Sequence, residues 1–290
     1  MHWSAVEEAI SQASGEQFRI ADTQTLGGGC INSAYRLCGS GRSYFVKVND
    51  ARRREMFTAE YAGLLELQRA AAIRVPRPVA LGDSGGMAWL VLEDLEMRHG
   101  GDSRAAGERL ALLHRHLAPR FGWSRDNTIG STLQVNRQEA DWIGFWREQR
   151  LGFQLRLAAG KGFGARLQRQ GERLLGCFHL LIDHDPQPSL LHGDLWGGNI
   201  AYLRDGEPVI FDPAVYYGDR EADIAMSELF GGFDADFYAA YNARWPLSPG
   251  YAVRKTLYNL YHILNHANMF GGGYAGQAQS MIEQLLAEIG

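Results

Sequence analysis

Cysteine is scarce in this chain. It has three in 290 residues, Cys30, Cys38 and Cys177. No two form a CxxC pair and no Cys/His group has zinc-ligand spacing, which argues against a disulfide scaffold and a zinc module. Positive charge is not in excess either: 29 Lys and Arg stand against 33 Asp and Glu, for a net charge of −4. That balance leaves no electrostatic footprint for nucleic acid. The one dense basic stretch, ARRRE at 51–55, is short and heads a helical pattern. No apolar run approaches the roughly 20 residues of a membrane span. The first segment, MHWSAVEEAISQASGE, lacks the apolar centre of a secretory signal. Repeats and low-complexity tracts are absent. These absences lead us to expect a cytoplasmic protein without nucleic-acid or membrane partners.

Hydrophobic residues make up 46% and charged residues 21%, as in an ordinary globular chain. The first hundred or so residues read as strand-rich. QFRIADTQTL and SAYRLCG flank the glycine run Gly27, Gly28 and Gly29 like the arms of a hairpin, and SYFVKVND alternates around Lys47. RREMFTAEYAGLLELQRA reads as a helix with Met56, Ala59, Ala62, Gly63 and Leu67 on one face. PVALGDSGGMAWLVLEDL reads as two strands joined at Gly85 and Gly86. Beyond about residue 100 long helical patterns dominate, interrupted by LLHGDLWGGNIAYLRDGEPVIFDPA. Strands first and helices second predict an α+β chain of two lobes. We place an N-terminal antiparallel-sheet lobe with one helix at 1–93 and a larger, mainly helical lobe at 94–290.

The interrupting stretch carries the chemistry. It presents His192-Gly-Asp194, then Asn199, then Asp212 in IFDPA. Protein kinases arrange the same residue types in the same order. Their catalytic-loop Asp takes the proton of the attacking hydroxyl, an Asn on that loop binds magnesium, and a later Asp binds magnesium between the phosphates. Upstream, Lys47 lies in a strand where a kinase lysine holds phosphates, and Glu60 lies in the next helix where it could pair with Lys47. Each residue alone has a bland reading, Lys47 as an exposed strand lysine and Glu60 as a solvated helix residue. The ordered set is much harder to reach by accident.

The set also sorts the glycine run. No GK[ST] follows it, so it is not a Walker loop, and hairpin arms do not form a dinucleotide-binding βαβ unit. Gly27 and Gly29 occupy the first two positions of a GxGxxG pattern, with Asn32 at the third. A loop capping the phosphates of ATP fits best, with backbone N–H groups close to the anion.

LLHGDLWGGNI with VIFDPAVYYGDREADIAMSELFGGF resembles the fructosamine kinase (ketosamine-3-kinase) family. GGGCINSAYRL, FVKVN, REMFTAE, VPRPVALG, EDLEMR and LNHANMFGGGY extend the likeness across nearly the whole chain. The resemblance implies a bilobal protein-kinase-like fold, similar to aminoglycoside phosphotransferases. It also implies ATP- and Mg2+-dependent phosphorylation of the 3-hydroxyl of a ketosamine, fructosamine, ribulosamine or erythrulosamine, leading to deglycation. By position, Asp194 would be catalytic, and Asn199 and Asp212 would hold the metal. Gly27, Gly28, Gly29, Cys30, Asn32, Lys47, Glu60, Glu93 and Leu95 would bind ATP. Trp196 could stack on the sugar, with His266 and Asn268 closing the acceptor site. His192 and Asp223 read as braces of the loop. Asp219 departs from the family, which usually has His there. Cys30, on the tip of a phosphate loop, would be an accessible thiol, making the protein a monomer or a redox-linked dimer. Two alternatives stay open: a kinase of another small alcohol (aminoglycoside, choline or homoserine) on the same fold, and a nucleotide-binding module without catalysis.

Overall fold

The computed structural model describes residues 3–27 and 31–290. Gly28, Gly29 and Cys30, expected to cap ATP, lie outside the described residues. The chain divides into two compact units: Met1–Asp102 with Ala201–Pro213, and Ser103–Ile200 with Ala214–Gly290. The boundary expected at 93/94 thus falls at 102/103, and 201–213 joins the first unit. Backbone pairing explains this. Arg98 and Tyr202 exchange N–H···O bonds of 2.8 and 3.0 Å, and the Ile210 amide donates to the Arg74 carbonyl at 3.0 Å.

The first unit comprises α1 (Ser4–Ser14), β1 (Asp22–Leu26), β2 (Ser33–Gly39), β3 (Arg42–Asp50), α2 (Arg54–Ala70), β4 (Pro78–Ser84) and β5 (Met87–Glu93). The strands form one antiparallel sheet in the order β1-β2-β3-β5-β4. Gly85 and Gly86 turn β4 into β5 with φ of 59° and 79°, the left-handed pair that a two-residue hairpin needs. In β3 the pleat sends alternate side chains to opposite faces. Tyr44, Val46 and Val48 join Val6, Ile10 and Phe18 in a buried cluster on one face, and Lys47 points to the other. Helix α1 adds a second helix to the one expected; Val6 and Ile10, one turn apart, fix it to the sheet.

The second unit opens with α3 (Ser103–His114), the short hairpin β6 (Asn127–Ile129) and β7 (Thr132–Gln134), and α4 (Trp142–Phe145). Asp141 caps α4 by accepting from the Ile143 and Gly144 amides at 2.9 and 3.0 Å. A π-helical turn at Trp146–Leu151 carries α4 into α5 (Gly152–Gly160), followed by α6 (Ala165–Cys177). β8 (Ser189–Leu191) precedes the hairpin of β9 (Ile200–Tyr202) and β10 (Pro208–Ile210), of which 201–213 belongs to the first unit. β11 (Tyr216–Gly218) returns to pair antiparallel with β8. Four helices close the chain: α7 (Glu221–Leu229), α8 (Ala235–Arg244), α9 (Tyr251–Phe270) and α10 (Tyr274–Ile289). No helix among the described residues is long and apolar enough to cross a membrane.

Candidate functional site

In the first unit the centre is Lys47. Its neighbours on β3 face the α1 cluster, so its own side chain lies toward α2 and is buried. The ammonium donates to Glu60 Oε1 at 2.6 Å, and Glu60 sits thirteen residues on, in α2. It also donates to Asp212 Oδ1. Burial pulls the Lys47 pKa down, but the Asp212 and Glu60 carboxylates overcome it, and the net direction is upward. Lys47 is therefore a permanent cation, buried between two acids. Glu60 is largely buried, whereas the Asp212 side chain is 48% exposed. Asp212 follows β10 with φ of 58°, a left-handed conformation that costs a non-glycine residue roughly 1–3 kcal/mol. Strain of this kind clusters at ligand-clamping positions, and here it turns an open carboxylate toward the buried cation.

Around this centre, Asn49 of β3 donates to Asn32 Oδ1 at 2.7 Å and to the Ile31 carbonyl at 2.9 Å. Asn32 therefore anchors the end of the glycine loop to the lysine strand. Gly27, at the other end, has no heavy atom of the described residues within 4 Å of its Cβ position. The Glu93 amide is bonded to the Arg77 carbonyl at 2.9 Å, and its carboxylate accepts from Arg74 at 2.6 and 2.7 Å. Glu93 thus holds the end of β5 in place, while Leu95 lies just beyond the strand. Between them Asp94 accepts two bonds from Arg36 of β2, at 2.7 and 3.1 Å. Neither arginine clamp was anticipated from sequence. Their partners stand 58 and 19 positions apart and no local spacing relates them.

In the second unit the loop after β8 carries Asp194. Asn199 donates from Nδ2 to the Asp194 carbonyl at 2.9 Å and to Asp194 Oδ2 at 3.3 Å. The amide nitrogen is thereby committed to the loop, and Oδ1 is the group that Asn199 can offer a cation. Asp223 accepts from the His192 amide at 2.7 Å and the Gly193 amide at 2.9 Å, the brace expected of it. Behind Asp223 stands His114, with Nε2 3.2 Å from the carboxylate and Nδ1 2.8 Å from the Tyr241 hydroxyl. A carboxylate can only accept, so Nε2 carries the hydrogen and Nδ1 accepts from Tyr241. Burial raises the Asp223 pKa, but the bonds from His114 and the loop amides outweigh it and hold the carboxyl below its usual range. Gly193 has φ of 83°, and a Cβ there would lie 2.1 Å from the Ala214 carbonyl oxygen. Only glycine fits between Asp223 and Ala214.

Trp196, 38% exposed, covers Gly198 and meets Phe230 edge-on, with ring centroids 6.1 Å apart. His266 donates from Nδ1 to the His262 carbonyl at 2.8 Å, and its ring packs on Phe230. Asn268 differs from expectation. It is buried, and its Nδ2 donates to the Gln154 carbonyl and Oε1 at 3.0 and 2.8 Å. Its side chain turns toward Gln154 of α5, while its Oδ1 is buried without a hydrogen-bond partner among the described residues. Asp219 accepts from His184 at 2.8 Å and from the Tyr258 hydroxyl. Glu221 beside it is paired to Arg254 at 2.7 Å, so the His184, Asp219 and Glu221 cluster is an ion-pair network with an arginine where a metal would otherwise find charge.

The fructosamine kinase family model matches residues 2–288. A protein of Synechocystis sp. named as a probable ketoamine kinase is 48% identical over 98% of this chain and 97% of its own. A chloroplastic protein-ribulosamine 3-kinase of Arabidopsis thaliana is 41% identical over 94% of this chain and 85% of its own. Among solved structures, a Haemophilus somnus protein named as a fructosamine-3-kinase superposes with a TM-score of 0.90 at 32% identity, covering 98% of this chain and 97% of that one. An aminoglycoside phosphotransferase superposes with a TM-score of 0.63 at 15% identity, a likeness of fold alone. The acid-clamped lysine and the braced Asp194 loop thus sit in a protein-kinase-like fold, and the chain belongs to the fructosamine kinase family.

Proposed function

We propose that the protein transfers the γ-phosphoryl group of ATP to the 3-hydroxyl of a ketosamine. The observation that carries the kinase reading is Lys47, buried as a cation between Glu60 and Asp212. A buried lysine held by an acid on the next helix is a device for gripping the phosphates of a nucleotide. The acceptor class follows from family membership. The plant relative is named for a protein-linked ribulosamine, and we carry that class, a ketose joined to an amine, to this chain.

Asp194 accepts the proton of the 3-hydroxyl as its oxygen attacks the γ-phosphorus. The bond to the β–γ bridging oxygen breaks and ADP leaves. Asn199 fixes the Asp194 carboxylate, so the base is oriented before substrate arrives. Lys47 aligns the phosphates. Asn199 Oδ1 and the exposed Asp212 carboxylate are hard oxygen donors of the kind Mg2+ takes, and each would offer it a ligand. Bound there, the ion neutralises charge on the phosphate oxygens. The 3-phosphate is then a leaving group: after enolisation toward the amine-bearing carbon, inorganic phosphate departs and water frees the amine.

The test is a phosphorylation screen of ribulosamine, erythrulosamine and fructosamine against choline, homoserine and an aminoglycoside, read by mass spectrometry. Transfer to ketosamines is expected, with Asp194→Asn lowering kcat by about 10²–10⁴-fold at unchanged affinity for ATP. Activity confined to the other alcohols would overturn the acceptor assignment.

A further inference from the structure

The Asp194 loop continues into a run of rings that leads away from it. Trp196 contacts Phe230 at 6.1 Å between centroids, Phe230 contacts His266 at 5.1 Å, and His266 contacts Phe270 at 5.6 Å and Tyr274 at 5.1 Å. The loop, the end of α7, α9 and the start of α10 each supply a part. Phe230 is 36% and Phe270 58% exposed. Packing does not require this, since a helix end can bear a polar residue at no cost. A contiguous exposed aromatic patch that begins at a catalytic loop is a binding surface.

We infer that Phe230, Phe270 and Tyr274, reached through Trp196 and His266, form a shelf for the amine-bearing arm of the ketosamine, an aliphatic chain such as a lysine stem. The inference rests on the ketosamine reading above. A sugar is small and polar and is used up at the first ring, whereas the run extends further. Beyond the sugar, a ketosamine offers a secondary ammonium followed by whatever the amine carried. Aromatic faces attract the ammonium and cover the methylenes of a lysine stem. His266 is turned by its bond to the His262 carbonyl so that its ring fills the gap between Phe230 and Phe270. A sugar on the α-nitrogen of a free amino acid would bring a carboxylate against the same negative ring faces. The shelf therefore favours sugars on lysine side chains over sugars on α-amines.

The test compares three ketosamines of one sugar: on methylamine, on the side chain of a lysine within a short peptide, and on the α-nitrogen of glycine. Wild type is expected to prefer the lysine peptide in kcat/KM. Phe230→Ala and Phe270→Ala together should lower kcat/KM for the peptide about 10-fold or more, lower that for the methylamine compound by a smaller factor through the shared ammonium, and leave the KM for ATP within twofold. Phe270→Leu, which keeps an apolar side chain, should fall between. Equal losses on all three compounds, or no loss on the peptide, would overturn the shelf. Absence of wild-type activity on all three compounds would instead refute the ketosamine reading itself.

Discussion

Asp223 holds the backbone from which Asp194 projects, and it does so without touching a substrate. Its two oxygens accept from the His192 amide, the Gly193 amide and His114. In Asp223→Asn one oxygen becomes an N–H2 that faces donors. A buried network broken in this way costs several kcal/mol where the charge was satisfied. The loop would relax, and a displacement of about 1 Å at a catalytic group can cost 100-fold in rate. Asp223→Asn should therefore lower kcat by about that factor while the KM for ATP stays within twofold, since Lys47, proposed to align the phosphates, belongs to the other unit. Steady-state kinetics with a melting curve would check this. An unchanged kcat would mean that Gly193 and its neighbours place Asp194 unaided.

The brace depends in turn on how two helices meet. His114 ends α3, Tyr241 lies in α8, and the contact between them orients the imidazole. Gly107 of α3 lets the helices approach, because a Cβ there would lie 2.2 Å from the Phe237 carbonyl oxygen of α8. Gly107→Ala must push α8 away. We expect a loss of about 1–3 kcal/mol and a lowered kcat, as the Tyr241–His114 bond opens. Gly176 of α6 has nothing within 4 Å of its Cβ position. There the same substitution removes unfolded-state freedom and should raise stability by about 0.4–1 kcal/mol. Thermal denaturation of the two variants tests the pair, and a shift of the same sign in both would refute the packing argument. This layer of the molecule was the hardest to read in the sequence. Lys47, Glu60, Asp194, Asn199 and Asp212 were legible because their order and local spacing carry the chemistry, and Asp223 because it follows the loop closely. His114 and Tyr241 were not, since they stand 127 positions apart and meet only through folding. Helix α7 leaves no trace in the sequence pattern for a different reason: Glu221 through Ser227 are all buried, so no polar face marks a helical period. The bonds of Asn268 to Gln154 were not legible either, because a buried amide bonded to a neighbouring helix looks, in sequence, like one facing a ligand.

At the scale of the whole molecule, buried histidines set the response to acid. Burial holds His262 down to about 3, with His266 and Arg150 adding to it and Asp223 opposing. Burial also lowers His114, against the pull of Asp223. Both rings are neutral in the folded state at pH values where the unfolded chain would protonate them. Below about 6.5 the unfolded state therefore binds more protons, and stability falls as pH falls, by up to about 1.4 kcal/mol per pH unit for each ring. For His262 the loss continues toward its folded value. Asp223 acts later. Its folded carboxyl lies below the usual range, so its contribution is complete above the unfolded value near 4 and disappears as the pH drops through the folded one. Unfolding by urea at pH values from 7.5 to 5.5 should show the histidine slope, above the range in which most carboxylates titrate. The decisive variant is His262→Phe. Its Nδ1 has no hydrogen-bond partner among the described residues, so the substitution removes an unsatisfied buried polar atom and should leave stability at pH 7.5 equal or higher. Between pH 6 and 4.5 the variant should lose stability more gently than wild type, by about the share of one ring, and the two curves should diverge steadily as the pH is lowered. Parallel curves would mean that His262 takes up its proton without unfolding, and that acid sensitivity resides in other groups, His114 and the Asp223 brace among them.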